Sequence, residues 1–277
     1  MLIITLSSIP PRFSRIGPTL RSLLAQSRAA DRILLYIPHS YRRFPDWDGS
    51  LPQVPDGVEI RRVTDDLGPA TKVLYAAREF REKEVDILFC DDDRVYAPDW
   101  AAGFMGARHA HPDCCIAQRG LMAHLVAGTN AERALQPRAT QRPINQDWEF
   151  RGKLFWRRLR AGPNWRSVRL PERRLFKTSG YIDMFEGCSG VLVKPSFFDD
   201  EAFDIPPVAW SVDDVWLSGM LAKNGIPIWL VANTLTPENT DAQQQEPLAS
   251  AVIDGATRHE ANQRAVRHMQ DTYGVWL

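Results

Sequence analysis

Four consecutive apolar residues, Ile87-Leu88-Phe89-Cys90, run directly into three aspartates, Asp91-Asp92-Asp93. A run this apolar reads as a strand buried on both faces, and such strands belong to sheets covered by helices. The acids then fall where the strand leaves the sheet, at the carboxyl end, where ligands bind in open α/β sheets. Alternate residues of an extended chain point the same way, so Asp91 and Asp93 are expected to converge on one ligand while Asp92 points elsewhere. Two carboxylates converging in a partly dry crevice repel each other unless a cation neutralises them. Mg²⁺ and Mn²⁺ suit hard oxygen ligands of this kind and bridge to phosphates. The plainer reading, a solvated turn capping the next helix, needs fewer acids than three.

Strands and helices alternate around this segment at short spacing. Residues 2–6, 32–37, 58–63, 85–90 and 114–118 read as strands. Helical spacing follows Pro18, Pro98 and the segment Gly68-Pro69-Ala70-Thr71-Lys72. The pattern predicts an α/β fold with a mostly parallel sheet flanked by helices. After about Gly120 the character changes, and 129–176 is polar with little periodicity. From Arg151 to Arg174, Arg151, Lys153, Arg157, Arg158, Arg160, Arg166, Arg169, Arg173 and Arg174 stand against one acid, Glu172, with Trp148, Phe155, Trp156 and Trp165 in or beside the stretch. This reads as a basic aromatic insert folded over a site, able to hold an anionic acceptor, stack sugar rings or lie against anionic lipid. Regular structure resumes over 181–193, then in a helix at 213–223, a strand at 227–231 and a helical tail at 258–273. Gln243-Gln244-Gln245 before the tail reads as a mobile loop. The expected organisation is a single domain over 1–277 in two halves, 1–120 and 121–277, the second carrying the insert and the helical tail.

Lys plus Arg equals Asp plus Glu, 34 against 34, so overall charge points away from a nucleic-acid partner. Cys90, Cys114, Cys115 and Cys188 lack metal or framework spacing and read as reduced thiols near a core. The first residues lack a basic leader with a long apolar run, and no stretch reaches the roughly 18 apolar residues of a membrane span. The expectation is a cytoplasmic protein, with peripheral contact at the inner membrane surface open through the insert.

A strand followed by Asp91-Asp92-Asp93 resembles the DxD signature of the GT-A glycosyltransferases, and the whole chain resembles their family 2-like members. The segment Ile4-Thr5-Leu6-Ser7-Ser8-Ile9-Pro10 with Arg12 is similar to the family's first strand and nucleotide-contacting loop, and Leu23-Leu24-Ala25-Gln26-Ser27 to the helix after it. The resemblance implies a sugar transferred from a nucleoside diphosphate sugar to a hydroxyl of a glycan, polysaccharide or lipid-linked acceptor. It further implies that Ser7, Ile9, Arg12, Asp91 and Asp92 contact the nucleotide, while Asp91 and Asp93 hold Mn²⁺ or Mg²⁺. By the same analogy Asp213 or Asp214 is the base of an inverting reaction, with Asp214 preferred, and Phe185-Glu186-Gly187-Cys188-Ser189-Gly190 lines the donor sugar. A C-terminal histidine on the metal points to His259 before His268. Read from the residues alone, Gly68-Pro69 at a helix start exposes N–H groups for phosphate, with Lys72 adding a charge; a solvated surface lysine is the competing reading. Asp213 and Asp214 equally suit a helix N-terminus.

Two other readings use the same residues. Asp91-Asp92-Asp93-Arg94-Val95 also fits the DxDxV of haloacid dehalogenase-type phosphatases, with Asp213-Asp214 as distal metal acids. That nucleophile belongs on the first strand, however, and the distal acids belong at a strand end. A non-catalytic sugar-nucleotide-binding protein is the second alternative.

Overall fold

The computed structural model describes residues 1–129, 134–168, 170–246 and 257–277, so Arg169 of the basic insert lies outside the described residues. The strands are β1 (Leu2–Ser7), β2 (Arg32–Pro38), β3 (Val58–Val63), β4 (Asp86–Phe89), β5 (Arg94–Val95), β6 (Cys115–Ala117) and β7 (Gly120–Leu121), followed by β8 (Thr140–Gln141), β9 (Phe176–Thr178), β10 (Gly180–Ile182), β11 (Met184–Phe185), β12 (Val191–Val193), β13 (Ile228–Leu230) and β14 (Glu238–Asn239). The α-helices are α1 (Gly17–Leu24), α2 (Thr71–Glu79), α3 (Trp100–Ala110), α4 (Ala123–Ala127), α5 (Trp148–Ala161), α6 (Asp213–Lys223) and α7 (Arg258–Tyr273).

An eight-stranded sheet runs in the order β10-β13-β6-β12-β4-β1-β2-β3. β3, β2, β1 and β4 pair in parallel, as do β13 and β6. β12 lies antiparallel between β4 and β6, and β10 is an antiparallel edge. Every strand of this sheet but β12 and β10 therefore runs the same way. Because β12 sits between β4 and β6, residues 1–120 and 121–277 share one sheet.

Alternation along the central strands builds a core on each face. From β1, Ile3 joins one cluster while Leu2, Ile4 and Leu6 join the other; from β4, Ile87 and Phe89 part from Leu88 in the same way. One layer is closed by α2, α6 and α7 through Val73, Leu74, Trp216, Met220 and Met269. The other is closed by α1 and α3 through Leu20, Leu23, Trp100 and Phe104. Each such side chain, fully buried, contributes about 1.5–3 kcal/mol. The mostly apolar α6 is buried nearly all round. Helix α7 starts on a reciprocal cap between Thr257 and Glu260 and stops at Gly274, which has a left-handed backbone.

Two local expectations are corrected. The insert at 129–176, which reads as aperiodic, contains the 14-residue helix α5. The glutamine run lies in a 3₁₀ turn (Asp241–Gln244) rather than a free loop, and the Gln245 carbonyl accepts from Arg12 Nε at 3.0 Å. The four cysteines are free, and Cys90, Cys114 and Cys115 are buried. Among the described residues no helix is long and apolar enough to cross a membrane.

Candidate active site

A cleft of about 380 Å³ opens at the carboxyl ends of β1, β2 and β4 and faces the N-terminus of α6. Its lining includes Ser7, Ile9, Arg12, Lys72, Asp91, Asp92, Asp93, Asp213 and Asp214. Residues 7–12 and 210–215 thus meet across one cavity, the first following β1 at its carboxyl end and the second opening the helix that leads back to the parallel strand β13.

The aspartates leave β4 through a turn at Asp92-Asp93, so strand alternation stops there. Asp92 does not point away from the site's framework but back into it. Its carboxylate accepts from Ser8 Oγ at 2.5 Å and from Arg12 Nη1 at 2.6 Å, and only 3% of the residue is exposed. The Thr19 hydroxyl donates to the Asp92 carbonyl, and Thr240 N–H donates to that of Asp93. The turn is therefore clamped by β1's loop, α1 and the segment entering from β14, which pairs with β5.

Asp91 and Asp93 keep different company. Lys72 Nζ lies 2.8 Å from Asp91 Oδ1 and 3.0 Å from Asp213 Oδ2, joining the two walls of the cleft. Burial pushes the Asp91 carboxyl up, but the charge and hydrogen bond of Lys72, together with the charges of Arg94 and Arg12, outweigh it and hold it below the usual carboxylate range. Burial likewise lowers the Lys72 ammonium, yet Asp213, Asp91 and Asp214 together raise it well above normal. Lys72 is 4% exposed, so it is no solvated surface lysine. Asp93 lies 3.3 Å from both Arg12 and Arg94, and burial together with Asp91 and Asp92 pushes its carboxyl up to about 6.

The Gly68-Pro69 turn works differently from the expected phosphate cradle. Gly68 N–H donates to Asp66 Oδ1, Leu67 N–H to Thr71 Oγ1, and Thr71 N–H to the Gly68 and Pro69 carbonyls. Those donors are satisfied within the loop, and the segment's contribution to the site's charge is Lys72. Glycine is required at 68 because φ is +59° and a Cβ would stand 2.9 Å from the Trp210 ring.

At the opposite wall α6 begins with Asp213 and Asp214, which therefore open a helix rather than end a strand. Asp214 Oδ1 accepts Gly187 N–H at 3.0 Å. Burial first, then neighbouring Asp213, pushes the Asp214 carboxyl up to about 8. A Cβ on Gly187 would lie 2.9 Å from Lys72 Nζ and 3.1 Å from Asp214 Oδ1, so the glycine leaves room for this contact. Cys188, the next residue, lines the cleft beside Glu186, which pairs with Arg119 at 2.7 Å.

His259 is not brought to the acids. It is exposed on α7, outside the cleft lining, with its ring against the Gln263 side chain at 3.1 Å. Helical geometry turns its neighbours inward instead: Arg258 and Asn262 line the cleft, and Arg258 donates to the Ser211 carbonyl. His268 pairs with Thr272 on the same helix, also outside the cleft. Sequence reasoning missed Arg258, Asn262, Arg119, Tyr41, Phe44 and Asp66, all of which line the cavity. For Asp66 and Arg119 a signal existed, since both follow strands of the sheet at the edge where ligands bind.

Whether these residues suit a divalent metal can be judged from the donors themselves. Among the described residues no group of three His, Cys, Asp or Glu side chains converges as a ready cage. Asp93 Oδ1 is nevertheless buried without a hydrogen bond, and its carboxyl is crowded by two others. One or two carboxylates, completed by phosphate oxygens and water, is the ordinary donor set for Mg²⁺ bound to a substrate. Asp91 and Asp93 fit that role, whereas Asp92 is held by Ser8 and Arg12.

No known protein-family profile matches the chain, and no curated protein matches it. Solved structures resemble it at low identity. Francisella tularensis 2-C-methyl-D-erythritol 4-phosphate cytidylyltransferase matches with a TM-score of 0.41 and 12% identity, over 86% of this chain and 92% of that one. S. aureus TarS 1-349 matches with a TM-score of 0.46 and 11% identity, over 98% of this chain and 71% of that one. The same TarS segment in complex with UDP matches with a TM-score of 0.41 and 10% identity, over 84% and 58%. With every TM-score at or below 0.46, the functional reading rests on the geometry of the cleft.

Proposed function

We propose that this protein is a metal-dependent glycosyltransferase that moves a sugar from a nucleoside diphosphate sugar to the hydroxyl of a glycan, polysaccharide or lipid-linked acceptor. The observation that carries the reading is the pairing of two acidic walls across one cleft. Asp91 and Asp93 stand at the end of β4, Asp213 and Asp214 at the start of α6, and Lys72 bridges them. The phosphatase reading would also use both walls, but it places its distal acids at a strand end, and Asp213 and Asp214 open a helix.

In this reading Ser7, Ile9 and Arg12 face the nucleoside, and Asp91 and Asp93 would hold Mn²⁺ or Mg²⁺. The metal, when bound, supplies positive charge to the departing nucleoside diphosphate. Lys72 adds a fixed cation on the same side. Asp213 is engaged by Lys72 and keeps that ammonium in place. Asp214 is the general base: its Oδ1 is oriented by Gly187 N–H, and with its carboxyl raised to about 8 the ionised form holds a proton more firmly than an ordinary carboxylate does. The acceptor proton passes to Asp214 as the acceptor oxygen bonds to the anomeric carbon, whose bond to the diphosphate oxygen breaks. Displacement from the face opposite the leaving group inverts the configuration.

Release of nucleoside diphosphate from a panel of sugar nucleotides, with Mn²⁺ and with chelator, tests this. Metal-dependent release that Asp214→Asn lowers at least about a hundredfold, the scale of general acid–base catalysis, is the expected result. No release from any sugar nucleotide, together with metal-dependent cleavage of a simple aryl phosphate, would replace the transferase by the phosphatase.

A further inference from the structure

Helix α5 is anchored by one narrow side and leaves the rest of its surface uncovered. Its inward residues are Phe150, Leu154, Arg157 and Ala161, spaced as one face of a helix. Phe150 lies under the Arg173 guanidinium, Arg157 pairs with Glu172, and Arg174 holds Glu149. On the opposite side Trp148, Phe155, Trp156 and Leu159 are between 59% and 73% exposed. At about 100° per residue, Trp148, Phe155 and Leu159 fall within about 40° of one another and Trp156 extends the stripe to about 100°. Arg151 and Arg158 line one border of this stripe, Lys153 and Arg160 the other, and all four are exposed. Beyond the helix, exposed Trp165 continues the apolar surface with Arg158 and Arg166 against its ring.

We propose that α5 docks the protein on an anionic phospholipid surface, lying in the plane of the interface with Trp148, Phe155, Trp156 and Leu159 inserted. An uncovered stripe of Trp, Phe and Leu bordered by cations on both sides is the pattern of interfacial helices. Aromatic rings settle at headgroup depth and the flanking cations meet lipid phosphate. A second copy of the chain is the poorer occupant. The only acid on α5 is Glu149, already held by Lys153 at 2.8 Å and Arg174 at 2.5 Å, so two such faces would set cation against cation. A strand of connections leads from this helix to the cleft. The Arg173 N–H and carbonyl bond to Thr236, the chain continues into β14, and β14 pairs with β5 directly after Asp93. That the docked surface presents a lipid-linked acceptor to the cleft rests on the transferase reading; the docking itself does not.

Flotation of the whole protein with vesicles tests the docking. Binding to phosphatidylcholine vesicles containing phosphatidylglycerol, absent with phosphatidylcholine alone and weakened by salt, is expected. Arg151→Ala with Arg158→Ala should weaken it about tenfold or more. Trp148→Ser with Phe155→Ser and Leu159→Ser should abolish it, while the melting temperature and any nucleotide-induced shift of it stay at wild-type values. These side chains are exposed, so the variants keep their fold. Absence of flotation with anionic vesicles, or equal flotation by the triple variant, overturns the proposal. So does a wild-type dimer that the triple variant turns into a monomer without any effect of lipid. A protein that floats but binds no nucleotide would sink the transferase reading and leave the docking intact.

Discussion

Lys72 is the residue on which both walls of the cleft depend, and its removal has a calculable consequence. In Lys72→Met the Asp213 carboxylate, with 5% of its side chain exposed, loses the ammonium 3.0 Å away, and Asp91, with 31%, loses its closest cation. Removing one member of a buried ion pair costs about 3–5 kcal/mol, since the other charge stays buried without compensation. Asp91's exposure puts the expectation at the lower end of that range. An unfolding entropy of about 2.1 cal/mol/K per residue converts 3 kcal/mol into a fall in melting temperature of about 5 °C for a chain of this size. The change is specific: Lys72→Met combined with Asp213→Asn should recover at least half of the loss, because the stranded charge is gone. Differential scanning calorimetry at pH 7 reads all three proteins. A single variant within about 1 °C of wild type, or a double variant whose losses merely add, would refute the coupling.

Gly187→Ala should lower turnover at least about tenfold with a small change in melting temperature, because its Cβ would stand 2.9 Å from Lys72 Nζ and 3.1 Å from Asp214 Oδ1; unchanged kcat would mean the contact is idle. Asp214 must be ionised to accept a proton, and its carboxyl is raised to about 8, so kcat/KM should climb from pH 6, reach half its maximum near pH 8 and level off only about one pH unit higher. A profile already flat at pH 6 would move the role away from Asp214. His259→Ala should leave metal-dependent activity within about twofold, given its exposure and its contact with Gln263; a loss of metal affinity would return this histidine to the site.

Much of the frame was legible because it depends on local pattern. Buried strands of uninterrupted apolar residues announced β1, β2 and β4, and the bounds of α6 and α7 follow their sequence periodicity. The acid cluster was placed at the correct edge of the sheet for the same reason. What eluded the sequence depends on pairings across long separations. Lys72 meets Asp213, 141 positions away, only because α2 and α6 both close one face of the sheet. Asp92's inward turn toward Ser8 and Arg12 breaks the alternation that an extended chain would keep. Helix α5 was invisible as a helix because apolar residues fall on both its sides, Phe150 and Leu154 inward and Trp148, Phe155, Trp156 and Leu159 outward, so no single apolar face marks it. Glutamines that read as loop became part of the site through one bond from Arg12 to a backbone carbonyl, which side-chain identity does not encode.

The central claim is that the cleft at the end of β4 binds the diphosphate of a nucleotide through Asp91 and Asp93. Isothermal titration of the nucleoside diphosphates of each common base, with Mn²⁺ and with chelator, on wild type and Asp93→Asn, tests it most directly. Micromolar binding of one nucleotide, weakened at least about a hundredfold by chelator and by the substitution, is the result this account predicts. Absence of binding by every nucleotide at millimolar concentration, or binding indifferent to both metal and Asp93, would contradict it.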